Sequence, residues 1–147
     1  MKERCVSYLA QCHNPKEGGF RGAPYIMSHV ASTYAAVMAL VSLSTEDAFE
    51  IVDLPAMKNF LISVKNNFKS HNTTNFFSFM SDAELQKHDN NDPSKYVATI
   101  PGGGAIHVNG ELDIRGVYCS LVVGDILGLL QDNPALTDGV GEFLLSC

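Results

Sequence analysis

His107-Val108-Asn109-Gly110-Glu111-Leu112-Asp113-Ile114-Arg115-Gly116-Val117-Tyr118-Cys119 concentrates a histidine, two carboxylates, a guanidinium, a phenol and a thiol in one short stretch. Read as a helix opening after the turn at Gly110, it puts Glu111, Arg115, Tyr118 and Val122 on one stripe. The residues after Arg115 are almost all apolar or small, so the pattern predicts an Arg entering a buried segment, where a guanidinium needs a partner. Glu111 precedes it in the favourable order for an i,i+4 ion pair. Asp113 suits orientation of Arg115 or first-turn support of the helix dipole. A second candidate set is His29 and Tyr34. By residue type alone, a histidine at a helix start suits a hydrogen-bonded structural role, and a tyrosine in a strongly apolar helix suits the core.

The elements that must position these groups are helical. A first helix is predicted over 3–12, stopped by Asn14-Pro15. A loop rich in Gly and Pro follows over 13–24, without the Gly-Lys-Ser/Thr of a phosphate loop. Ser28 offers an N-cap to a helix over 29–43 that is apolar nearly all round and therefore expected to be buried on most sides. A short helix is predicted over 44–52, and another over 56–65 with Met57, Phe60, Leu61 and Val64 at core spacing. After the opening stretch the helix is expected to run to about 130, where Asp132-Asn133-Pro134 breaks it, and one more begins at 138. Between them, 66–100 turns to Asn, Ser, Thr, His, Asp and Lys and reads as a polar surface insertion within a single domain over 1–147. Strand signals are weak throughout.

Composition narrows the function classes. With 147 residues, 46% of them hydrophobic, the chain is long enough for one domain with a sizeable core. A net charge of −6 and the lack of any Lys/Arg cluster argue against nucleic acid and against an anionic membrane surface. No apolar run reaches membrane-spanning length, so no stable membrane insertion is expected. Cys5, Cys12, Cys119 and Cys147 form no Cys-x-x-Cys pair and read as reduced thiols of a cytoplasmic protein. The sequon at Asn72-Thr73-Thr74 reads as a chance match in that compartment.

Aromatic markers turn the helices into a repeat. Tyr8, Tyr34, Phe60, Tyr118 and Phe143 are separated by 26, 26, 58 and 25 residues, and the long interval exceeds the others by about the length of the polar insertion. The unit is a helix, a glycine loop and a second helix, with Tyr34 and Tyr118 on one kind of helix and Tyr8, Phe60 and Phe143 on the other. Such units bury their faces only against neighbours.

His107-Val108-Asn109-Gly110-Glu111-Leu112-Asp113-Ile114-Arg115-x-x-Tyr118-Cys119 resembles a signature of protein prenyltransferase β subunits. Ser28-His29-Val30-Ala31-Ser32-Thr33-Tyr34-Ala35-Ala36-Val37 resembles another, in the same order. Cys12-His13-Asn14-Pro15-Lys16-Glu17-Gly18-Gly19-Phe20 and the 45–52 segment are similar to the same family, most of all to its farnesyltransferase branch. Type I and Rab geranylgeranyltransferase β subunits are the nearest competitors, and a non-catalytic helical-repeat binding module is a further alternative. The resemblance implies an all-α fold, a fragment of an α/α toroid whose inner helices line a funnel and whose outer helices meet an α subunit. It implies transfer of farnesyl from farnesyl diphosphate to the Cys thiol of C-terminal Cys-aliphatic-aliphatic-X proteins.

Carried over by position, His29, Glu111 and Arg115 are expected at the substrate peptide's terminal carboxylate, and Tyr34, Arg115 and Tyr118 along the isoprenoid. The zinc of the complete enzyme, and the groups that grip the diphosphate, are expected beyond the C-terminus of this chain. The fragment thus contributes no catalytic residue and no metal ligand, and is expected to be inactive alone. Gly104 stands where an aromatic residue is usual in the family.

Overall fold

Local signals set most of the helix boundaries. The computed structural model describes residues 2–66 and 102–147, so the polar stretch from 67 on, with its sequon, lies outside the described residues. Helix α1 spans Lys2–Cys12, α2 Val30–Leu43, α3 Glu46–Glu50, α4 Leu54–Asn66, α5 Ile114–Ile126 and α6 Val140–Ser146, with a 3₁₀ turn at Pro134–Leu136. Among the described residues, extended pairing is limited to isolated bridges, His13 with Phe20, Arg21 with Ser28 and Ala105 with Leu112. The all-α expectation holds.

The cap of α2 and the end of α5 differ from the sequence reading for reasons visible in the structure. The cap of α2 is His29, whose Nδ1 accepts from the Ala31 amide at 3.1 Å, while the Ser28 amide is engaged by Glu17 Oε2 at 2.7 Å. Helix α5 ends at Ile126, short of 130, because Gly128 at φ 68° closes it: the Leu129 amide donates to Gly124 O at 2.7 Å and the Gly128 amide to Asp125 O at 3.0 Å. That is the left-handed glycine stop, which releases the chain before Asp132-Asn133-Pro134 is reached.

The repeat is visible atom by atom. Residues 84 positions apart do the same work in the two glycine loops. Arg21–Ser28 and Ala105–Leu112 are the same bridge in successive units, and Tyr25 and Asn109 both adopt positive φ, 72° and 61°. Gly18 at φ 85° lies so close to α4 that a Cβ there would meet Ala56 O at 2.1 Å, and Gly102 at φ 82° would likewise meet Gly139 at 1.9 Å. In each unit a glycine lets the loop backbone touch the start of a later helix, α4 in the first and α6 in the second.

Phe20 and Gly104 occupy the related position but solve it differently. Phe20 is buried completely, whereas a Cβ on Gly104 would come within 3.0 Å of the Val117 amide, and one on Gly116 within 2.7 Å of Gly104 O. Loop and helix backbones meet directly there, which leaves no room for an aromatic side chain at 104.

The core gathers Phe20 from the first loop, Val30, Val37 and Leu40 from α2, Met57, Phe60, Leu61 and Val64 from α4, and Val123 from α5. Thr33 joins it with its hydroxyl satisfied, accepting from the Phe20 amide at 2.9 Å. Lys65 Nζ reaches Asp138 O at 2.6 Å and the Val64 carbonyl accepts from the Ala105 amide at 3.0 Å, tying α4 to the second unit. All four cysteines are free thiols. Among the described residues no helix is long and apolar enough to cross a membrane.

Helix α2 is less enclosed than its composition suggests. Ala31, Ala35, Val41 and Ser42 are exposed and Tyr34 and Met38 half-buried, a continuous stripe at helical spacing. The same face is open on α5, where Ile114, Arg115, Tyr118, Asp125 and Ile126 are exposed. The apolar circumference of these helices serves two surfaces, a core on one side and an open apolar wall on the other.

Candidate functional site

The open wall begins where α2 and α5 start. The chain leading into α2 is pinned by the His29 amide donating to Phe20 O at 3.0 Å and the Val30 amide donating to Ile106 O at 2.8 Å. The second loop thus sits against the head of α2. His29 and Asp113 are the two N-caps, both extended and 84 positions apart, so the repeat places a capping side chain at the mouth of each helix.

Asp113 does two things at once. One carboxylate oxygen accepts from the Arg115 amide at 2.7 Å; the other accepts from Arg115 Nε at 2.8 Å and from Nη2. The Arg115 guanidinium beside it holds the Asp113 carboxyl below its usual pKa, with the Arg115 amide adding to the effect and burial opposing it. The helix cap therefore also orients the arginine.

This corrects the expectation for Glu111. It precedes α5, with its carbonyl accepting from the Ile106 amide at 3.2 Å, so it shares no helical stripe with Arg115, and the ion pair of Arg115 is with Asp113. The cause is the cap: Asp113 takes the extended conformation, and helical geometry starts only after it. Arg115 is not buried either; its side chain is 75% exposed.

Tyr34 and Tyr118, equivalent positions in the two units, meet with ring centroids 5.9 Å apart at an interplanar angle of 58°. That tilted arrangement is a favourable one for aromatic rings. Hydrogen bonding to the Tyr118 phenol holds the Tyr34 hydroxyl above its ordinary pKa. Tyr118 is 57% exposed, which makes the pair part of a surface and not of the core.

His29 and His107 meet as well, with ring centroids 6.1 Å apart. Burial pushes the His29 pKa down, and His107 and then Arg115 push it the same way. His107 was legible only as a member of the stretch; it had no assigned role, and the signal was its place three residues before the turning Gly110. The structure thus groups His29, Arg115 and Asp113 at the helix mouths with His107, and Tyr34 with Tyr118 just inside, while Glu111 stays exposed on the loop.

The His29 cap has a pH consequence. Its Nδ1 must be unprotonated to accept from Ala31, and its folded pKa lies below the unfolded value, so the stability it contributes is present above the unfolded histidine pKa and is lost as pH falls through the folded one. His13, lowered chiefly by burial, acts in the same direction. His29→Asn, which keeps a capping acceptor that does not titrate, is expected to flatten acid destabilisation by at most about 1 kcal/mol, the ordinary worth of a cap. Urea midpoints at about pH 7 and about pH 5 check it: an unchanged pH dependence would remove His29 from this role.

Metal fits the site poorly. Among the described residues no group of three or more His, Cys, Asp or Glu could hold an ion, the His29 Nδ1 is committed to an amide, and a guanidinium lies alongside. The arrangement instead suits an anion at the helix mouths and an apolar chain along the wall.

The family description Prenyltransferase alpha-alpha toroid domain fits residues 1–147. The chain belongs to this family. The toroid fold accounts for the alternation seen here, with α2 and α5 as one class of helix and α1, α4 and α6 as the other. The chain is 29% identical to protein farnesyltransferase subunit beta of Arabidopsis thaliana over 147 residues, covering all of this chain and 23% of that protein. It is 31% identical to the same subunit of Pisum sativum over 147 residues, covering all of this chain and 26% of the relative. With the subunit of Saccharomyces cerevisiae it shares 30% identity over 138 residues, 91% of this chain and 23% of that one. The chain spans about a quarter of the length of the curated relatives it matches.

Proposed function

We propose that the chain is part of the β subunit of a protein farnesyltransferase and supplies one sector of its substrate pocket. The observation that carries this reading is the meeting of the repeat-related phenols Tyr34 and Tyr118 on an open apolar wall, headed by His29 and Arg115. Farnesyl is a flexible polyene, and its affinity comes from apolar burial along such a wall. Two phenols and the flat guanidinium of Arg115 add rigid surface. At the mouth, Arg115 and His29 receive the terminal carboxylate of a Cys-aliphatic-aliphatic-X protein through ordered water, with Glu111 as an acceptor for that water. The outer helices α1, α4 and α6 face the α subunit, and the assembly works in the cytoplasm. The zinc expected of the complete enzyme belongs with residues other than those described.

Tyr118→Ala tests the reading in the complete assembly containing this chain. The substitution at an exposed wall position leaves the fold intact and is expected to raise KM for farnesyl diphosphate about tenfold, with the peptide KM nearly unchanged. Steady-state transfer of labelled farnesyl to a Cys-aliphatic-aliphatic-X peptide measures both. An unaltered KM for the isoprenoid donor would remove the tyrosine pair from the isoprenoid wall.

A further inference from the structure

His107 is built into place with no structural task that explains its chemistry. A Cβ at Gly110 would lie 2.9 Å from both Nδ1 and Cε1 of its ring, so a glycine at 110 is what leaves room for the imidazole. Its Nδ1 lies 3.0 Å from the Val108 carbonyl, an acceptor only, so Nδ1 carries the proton and Nε2 is the bare nitrogen of the neutral ring. His29 is the opposite. Its Nδ1 accepts from the Ala31 amide, so Nε2 carries the proton. The two rings, 6.1 Å apart, therefore offer one donor and one acceptor, and the guanidinium of Arg115 acts on His29.

Among the described residues, His29 at the head of α2 is the ring that meets His107, Arg115 acts on that same His29, and Arg115 is in turn influenced by its cap partner Asp113 and by Glu111. The position has no counterpart in the first unit, where the residue 84 positions earlier is Ala23. The feature is specific to this mouth and is not a requirement of the repeat.

We propose that His107 is a further carboxylate-binding residue of this site, whose Nε2 takes up a proton from solvent when a peptide's terminal carboxylate binds beside His29 and Arg115. Resting on the carboxylate reading above, it adds a regulatory property to it. The anion meets a fixed donor on His29 and gains a second on His107, and it supplies the negative charge that a new cation beside Arg115 requires. One proton is bound per carboxylate. Recognition of a free C-terminus therefore strengthens as pH falls, down to the point at which His29 also protonates and its cap on α2 is lost.

The experiment compares kcat/KM for a Cys-aliphatic-aliphatic-X peptide with that for its C-terminal amide, in the complete assembly, from about pH 8 to about pH 6. The wild-type preference for the carboxylate is expected to rise as pH falls, with a limiting slope of about tenfold per pH unit. His107→Gln, whose side-chain amide keeps a non-titrating donor, is expected to retain the preference and lose the slope; His107→Ala is expected to lose about tenfold of the preference. If His107→Ala keeps both the preference and the slope of the wild type, the inference about His107 fails while the carboxylate reading survives. If the wild type itself does not distinguish carboxylate from amide, the carboxylate reading fails first.

Discussion

Phe60→Ala is expected to lower the unfolding free energy by about 3–5 kcal/mol, the usual range for a phenylalanine removed from a closed core. Phe60 is one of the largest fully buried side chains, and its ring fills the space that Gly19 leaves open, with a hypothetical Cβ there only 2.7 Å from the ring. Loop and helix fit as glycine to aromatic, so the cavity has rigid backbone on one side and cannot collapse easily. The other core neighbours on α4, Met57, Leu61 and Val64, are also fully enclosed. Urea unfolding followed by circular dichroism measures the loss. Since native domains hold only about 5–15 kcal/mol in all, the variant is expected to be near its folding threshold. A loss under about 1 kcal/mol would mean that the first loop does not pack on α4 as described.

Arg115→Ala has the largest expected effect on substrate handling. In the complete assembly, kcat/KM for the carboxylate peptide is expected to fall about tenfold to hundredfold, with the amide peptide spared. Asp113 keeps its bond to the amide of residue 115 in the variant, so the cap survives and the loss is one of recognition. Arg115→Lys is expected to recover little, because an ammonium cannot present the planar fork. Lys65 is a poor control for this comparison, being tied to Asp138 O, whereas exposed Lys16 is a suitable one. Equal losses in Arg115→Ala and Lys16→Ala would take Arg115 out of the pocket.

Periodicity and punctuation carried the helical order and the repeat, because Pro, Gly and apolar spacing act within a few residues of where they occur. Met57, Phe60, Leu61 and Val64 became core as their spacing predicts. The interval from Tyr34 to Tyr118 anticipated a shared helix class, and the rings do meet. What spacing did not disclose was cap choice. Ser28 and His29 are both able to cap α2; the backbone turns helical only after His29, whose ring accepts from the Ala31 amide, while the Ser28 amide goes to Glu17, eleven positions upstream. The same uncertainty moved the start of α5 past Glu111 and gave Arg115 to Asp113. Nor does an apolar circumference distinguish burial from an open wall: Tyr34 and Tyr118 suit either, and the choice depends on what lies opposite. The ring contact between His29 and His107 was beyond reach for another reason, since it joins residues 78 positions apart through the docking of a loop on a helix head.

An isoprenoid chain is expected on the face shared by α2 and α5. A farnesyl diphosphate analogue with a photoactivatable group on its terminal isoprene, irradiated in the complete assembly and mapped by mass spectrometry, tests it most directly. Cross-links are expected on peptides containing Tyr34 or Tyr118, suppressed by excess farnesyl diphosphate. Competable cross-links confined to α1, α4 or α6, with none on α2 or α5, would contradict it.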